Sequence, residues 1–131
     1  MKKTILFLTI LVSVAFGFYA CNDTPIDEDK LLITDRAECY MSSFELLGPD
    51  NRTVLVSAAV IDTVNCTVTG TAKFGTNIKH VKPYCSLVTD AKLTPAMGDW
   101  VDFSQPRQYT VISGNRQVQK TYTITIAVQG Q

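Results

Sequence analysis

The sequence predicts an all-β domain, an antiparallel sandwich of about seven short strands, behind a leader and a polar linker. Three observations carry that expectation. Past Arg36 the apolar residues recur at every second position, not at every third or fourth. The alternating runs are rich in Val, Ile, Thr and Tyr, which fit a pleated, half-buried surface. Gly, Pro, Asn and Asp fall between the runs, where turns need them.

The elements follow in chain order. Met1-Lys2-Lys3 is a charged start, Thr4–Tyr19 is apolar, and Ala20 is small. Together, residues 1–20 have the parts of a secretory signal. The apolar run is roughly 16 residues, short of the ~20 that span a bilayer, so an uncleaved anchor helix is the weaker reading. Residues 21–36, "CNDTPIDEDKLLITDR", are polar and acidic. Such a stretch buries too little apolar area to offset its ordering entropy, so a flexible tether is expected. The domain is expected over residues 37–131.

Within it, "AECYMSSFELL" is the first strand. "TVLVSAAVID" and "NCTVTGTAKF" are two more. "HVKPYCSLVT" is a fourth, and Pro83, lacking a ladder donor, marks it as an edge strand or a bulge. "RQYTVIS" alternates Tyr109 and Val111 against Thr110 and Ile112. "QKTYTITIAVQ" buries Tyr122, Ile124, Ile126 and Val128 and turns its threonines outward. Between these last two, "SGNRQ" offers Gly114 and Asn115, which tolerate positive φ, so the pair reads as a β-hairpin. Six or seven such runs in under a hundred residues argue for an immunoglobulin-like sandwich.

Composition narrows function. The chain has 131 residues, 46% hydrophobic, with twelve basic and twelve acidic side chains. The charges are segregated: residues 21–50 hold eight acids against two bases, and residues 51–131 hold four acids against eight bases. No basic run occurs, so nucleic acid is not an expected partner. No phosphate loop, nucleophile elbow, paired zinc ligands or calcium loop is present. Asp90, Asp99 and Asp102 lack the close spacing of a calcium loop. No cofactor and no enzymatic activity are expected.

Two resemblances add to this. "FYAC" resembles the lipobox of bacterial lipoproteins, with Ala20 and Cys21 on pattern and Phe18 where Leu is usual. The resemblance implies acylation of Cys21 after removal of the leader. Two or three acyl chains, at about 0.8 kcal/mol per buried methylene, hold a domain firmly on a membrane. The acids Asp23, Asp27, Glu28 and Asp29 resemble the tag that sends Bacteroides-type lipoproteins to the outer face of the outer membrane. The stretch "DAKLTPAMGDWVDFSQPRQYTVISGNRQVQKTYTITI" resembles the C-terminal half of an Ig-like domain found at the N-terminus of Bacteroides-type glycan-utilisation lipoproteins. The match runs through Leu93, Pro95, Asp102-Phe103-Ser104, Pro106, Tyr109-Thr110-Val111, Gly114 and Tyr122-Thr123-Ile124. In that pattern Phe103 should plug the core and Asp102 and Ser104 should cap the turn.

The resemblance implies a surface-exposed, lipid-anchored protein that assists polysaccharide binding or uptake, with other surface lipoproteins or an outer-membrane importer as partners. In the family such domains precede other domains. This sequence stops at "VQGQ", so the expectation is that the domain binds a ligand itself or serves as an accessory subunit. The rival is an adhesin, pilus-type or structural module that docks through its sheet edges. A small hydrolase is the third possibility, and no acid–base constellation favours it.

The ligand-binding candidates are Trp100, Asp99 and Tyr84, because flat rings stack on the C–H faces of sugars. Trp100 has a second reading, as a lid on one end of the core. His80, between Lys79 and Lys82 in the run of strand four, reads as a solvated strand residue. Asp62-Thr63-Val64 matches the short O-glycosylation acceptor of that phylum, making Thr63 a candidate. With Cys21 acylated, three cysteines remain, so at most one disulfide forms. Cys66–Cys85, Cys39–Cys85 and three free thiols all stay open.

Overall fold

The computed structural model describes residues 25–131, so the leader, Cys21 and Asp23 lie outside the described residues. The chain divides into two units, Met1–Leu31 and Leu32–Gln131. In the first, the Asp27 carboxylate accepts the N–H groups of Asp29 and Leu31, at 3.0 and 2.9 Å, closing a turn with Lys30 at φ 63°.

The second unit is a two-sheet β structure with no helix among its described residues. Its strands are β1 (Met41–Leu47), β2 (Val60–Asp62), β3 (Thr67–Ala72), β4 (Lys82–Leu87), β5 (Lys92–Thr94), β6 (Arg107–Ile112) and β7 (Gln119–Val128). One sheet pairs β1 with β4; the other runs β2-β3-β7-β6-β5. The expected sandwich is present, with one correction. Strands β3 and β7 are parallel, Thr67 opposite Thr123 through Ala72 opposite Val128. Parallel neighbours need a long crossover. Here residues 73–118 supply it, visiting the other sheet as β4 before returning through β5 and β6.

The run expected as a strand over residues 53–62 is a strand only at its end. Thr53 bridges Leu47 of the first sheet, and Leu55 bridges Ala72 of the second. The segment crosses from one sheet to the other, so neither can ladder along it. Pro83 does lie on an edge strand, since β4 pairs only with β1.

Alternation sets the core. On β7, Tyr122, Ile124, Ile126 and Val128 are buried while Thr121, Thr125 and Ala127 face water. Tyr109 and Val111 of β6, Val68 of β3 and Phe44 and Leu46 of β1 belong to the same core. The Tyr122 hydroxyl, inside the core, accepts the Met41 N–H at 3.4 Å, and burial pushes its phenol pKa up. Phe103 comes from a loop, is 1% exposed, and meets Phe44 edge-on with ring centroids 6.4 Å apart. The Asp102 carboxylate accepts the Ser104 N–H at 2.8 Å, the cap expected of that motif.

Between β2 and β3 the turn is built on Asp62. Its carboxylate accepts the N–H groups of Val64 and Asn65 and the Asn65 side-chain amide. Those bonds, led by the Asn65 N–H, hold the Asp62 pKa below the ordinary carboxylate range. A lowered pKa adds stability above the unfolded value, about 3.9, and that stability is lost as pH falls through the folded value. Asp62→Ala is therefore expected to lower the urea midpoint at pH 7, with the difference from the parent closing as pH drops below 4. A difference that persists in acid would assign the loss to something other than the ionised carboxylate.

The β6–β7 turn corrects two expectations. The positive φ falls on Arg116, at 62°, and not on Gly114 or Asn115. The Asn115 side chain instead accepts the Ser113 hydroxyl at 2.6 Å and the Gln117 N–H at 3.0 Å. In addition, the last residues of the expected tether, 32–36, are not free: they lie against this turn. Thr34 N–H donates to Gly114 O at 3.0 Å and Asn115 N–H to Arg36 O at 2.8 Å. The Arg116 guanidinium reaches Leu32 O, Asp90 O, Ser113 O and Gly114 O, and Arg36 pairs with Asp90 at 3.3 Å.

Candidate functional site

The candidate site is a patch of exposed rings where the loop after β5 lies beside the start of β4. Backbone bonds place it. Val81 and Val101 bond reciprocally, at 3.3 and 2.8 Å, and Phe103 N–H donates to Ile78 O at 2.8 Å. With Phe103 sunk in the core, the loop cannot slide, and Trp100 is held against the segment leading into β4. The Trp100 N–H donates to the Asp99 carboxylate at 2.8 Å, so Asp99 braces the loop that carries the indole.

Trp100 is 37% exposed and Tyr84 is 43% exposed. His80 lies flat on the indole, centroids 3.9 Å apart at 11°, and the Lys82 ammonium stands 4.4 Å from the ring centre. A cation over an indole is held by the ring quadrupole, by about 0.5–1 kcal/mol at an exposed site. The indole thus already carries an imidazole and an ammonium, and a sugar face competes with them for it. Lys82 and Tyr84 share the outer face of β4 by the period of two. Gly98, at φ 107°, runs its backbone beside the Tyr84 ring, where a Cβ would sit 3.5 Å from Cε1.

Of the residues expected at a site, Trp100, Asp99 and Tyr84 are brought together. His80 was expected on a strand; it sits in a bend ahead of β4, and its ring is on Trp100 and not simply in water. Twenty positions separate His80 from Trp100, and no local pattern marks their meeting. Thr63 is exposed in the Asp62 turn, away from these rings in the chain and on the other sheet.

Of the three cysteine readings left open, the structure has the unpaired one. Cys39, Cys66 and Cys85 are free, and neither Cys66 nor Cys39 is bonded to Cys85. Cys66 leads into β3 of the larger sheet, while Cys85 sits opposite Phe44 in the smaller one. Cys39 is buried with its thiol donating to Val111 O at 3.1 Å. Burial pushes the thiols of Cys39 and Cys85 above the usual range, which disfavours the nucleophilic thiolate.

With this geometry in place, comparison with known proteins is informative. A family model described as SGBP, N-terminal, for surface glycan-binding proteins, matches residues 43–126. Among solved structures, a candidate glycoside hydrolase of Bacteroides thetaiotaomicron is 28% identical, with a TM-score of 0.60 over 69% of this chain. A DUF4623 family protein of Bacteroides eggerthii shares the fold, with a TM-score of 0.54 at 15% identity over 72% of this chain. The chain spans only 25% and 22% of the length of those two proteins. No curated protein matches it.

Proposed function

The chain belongs to the family of N-terminal domains of surface glycan-binding proteins, and from that premise we propose that it is a non-enzymatic, cell-surface glycan-utilisation protein that contacts polysaccharide through the Trp100–Tyr84 patch. The family match over residues 43–126 is the observation that carries this reading. Two exposed rings beside an anchored loop supply what a sugar needs: a flat apolar surface with polar groups at its rim. Acylation of Cys21 would hold the domain at the outer membrane, within reach of an importer or of other surface lipoproteins.

Affinity electrophoresis in gels cast with polysaccharides tests the binding part. Retention in at least one polymer is expected, with Trp100→Ala and Tyr84→Ala each weakening it about tenfold, equivalent to roughly 1.4 kcal/mol. Unchanged retention in both variants would move the contact elsewhere on the protein. Mass spectrometry of the mature protein tests the anchor: an unmodified thiol at Cys21 would remove it from the proposal.

A further inference from the structure

We propose that the patch is one end of a longer track, and that the track takes an extended, neutral glycan chain bound along several of its units; this rests on the glycan-binding reading above. The sheet that carries Tyr84 has only two strands, β1 and β4. Its inner face sends Phe44, Leu46 and Pro83 into the core. Its outer face is built of three cross-strand rows, Leu47–Lys82, Glu45–Tyr84 and Ser43–Ser86. Ser43, Glu45, Tyr84 and Ser86 are exposed, and Leu47 and Lys82 are half-buried. Trp100 adjoins the first row, where the Lys82 ammonium reaches its ring.

The order along β4 is therefore indole, ammonium, phenol ring, hydroxyl. Lys82 to Ser86 is about 13 Å of strand, the length of roughly three sugar units, whereas a single sugar touches one row. A chain laid out along β4 meets all three rows at once, and a coiled chain curves away from an open face. Hydrogen-bonding capacity runs along the track in both senses. Glu45 accepts the Thr53 hydroxyl and the Leu46 N–H with Oε1, and its other oxygen has no bond among the described residues. The Ser43 and Ser86 hydroxyls have none there either, and a hydroxyl both donates and accepts. The track carries one base, Lys82, and one acid, Glu45, with Asp99 a second acid at the Trp100 end. Sugar hydroxyls also donate and accept, so a neutral chain matches this set. A carboxylated chain brings its own acids up against Glu45 and Asp99.

Affinity electrophoresis with paired polymers tests this. The neutral extended arms are hydroxyethylcellulose and arabinoxylan, set against their acidic counterparts, carboxymethylcellulose and glucuronoxylan; glycogen is the coiled arm. Retention by at least one neutral extended polymer is expected, at least tenfold stronger than by its acidic counterpart or by glycogen. Hexasaccharides cut from that polymer should compete at least tenfold better than its disaccharides. Ser86→Arg, which fills the far row, should weaken retention about tenfold and erase the advantage of the longer competitor. Thr71→Arg, on the exposed face of the other sheet, should change little. Equal competition by short and long oligosaccharides would shrink the site to the Trp100–Tyr84 patch and overturn the track. Retention by glycogen or the acidic arms alone would overturn the extended neutral class and leave glycan binding standing. Dimers in sedimentation that Ser86→Arg breaks, with no polymer retained, would give the face to a second copy. No retention by any polymer would overturn the glycan-binding reading and this one with it.

Discussion

Phe103→Ala is expected to lower the free energy of unfolding by about 3–5 kcal/mol, the range for emptying a buried aromatic position. Phe103 is 1% exposed, yet it sits on no strand. Strand residues are held in place by ladder bonds on either side. Phe103 is held by one bond to Ile78 and by its ring on Phe44, so the ring itself fixes where the loop runs. Removing it leaves a cavity between the sheets and frees residues 95–104 at once. For a domain of about 100 residues that loss lowers the melting temperature by roughly 15 °C or more. Because Trp100 lies three positions ahead, the stack on His80 should loosen too, seen as a change in tryptophan emission at temperatures where the variant is still folded. Phe103→Leu keeps part of the volume and should lose less. A loss near 1 kcal/mol, the size of an average substitution, would mean that the ring is not the plug between the sheets.

Phe103 also shows how far the sequence reaches. The Asp102-Phe103-Ser104 motif and the alternation of β6 and β7 were legible because each is written in neighbouring residues: a period of two names the buried face, and a short acid names its cap. The same locality explains the failures. Residues 53–62 carry a strand-like composition, but whether they ladder depends on which sheet passes by, and two sheets pass by in turn. The parallel pairing of β3 with β7 depends on where the chain returns after more than forty residues. The candidate site divides along the same line. Trp100, Asp99 and Tyr84 stood out by residue type, whereas the imidazole and the ammonium on the indole are set by the Val81–Val101 bridge, a contact across twenty positions. The acidic stretch before the domain misled for a related reason. Its composition speaks for disorder, but residues 32–36 are tied down by partners on the β6–β7 turn and the Asp90 loop, which composition does not encode.

That strap makes Gly114 decisive, because two principles predict opposite signs for Gly114→Ala. Gly114 is not among the residues with positive φ. On backbone entropy alone, alanine there should stabilise the protein by about 0.4–1 kcal/mol. Space argues the reverse. A Cβ at 114 would collide with Thr34 Oγ1, come within 2.9 Å of Asp90 Cβ and stand 3.3 Å from Arg36 Cβ. Asp90 Cβ is not the far end of a flexible chain, so the strap or the turn must shift as a body. The bonds at risk are Thr34 N–H to Gly114 O and Asn115 N–H to Arg36 O. At about 0.5–1.5 kcal/mol each, their loss exceeds the entropic gain. Gly114→Ala is therefore expected to destabilise by roughly 1–2 kcal/mol and to raise hydrogen exchange at the Thr34 and Asn115 amides at least tenfold. Arg116→Ala should loosen the Thr34 amide by a different route, since its guanidinium joins Leu32 O to the turn carbonyls. In a double-mutant cycle, Thr34→Ala should recover part of the Gly114→Ala loss by removing the first collision, a coupling that independent sites do not show. If Gly114→Ala instead stabilises and leaves both amides protected, the segment at 32–36 is not packed on the turn, and the domain begins only at β1.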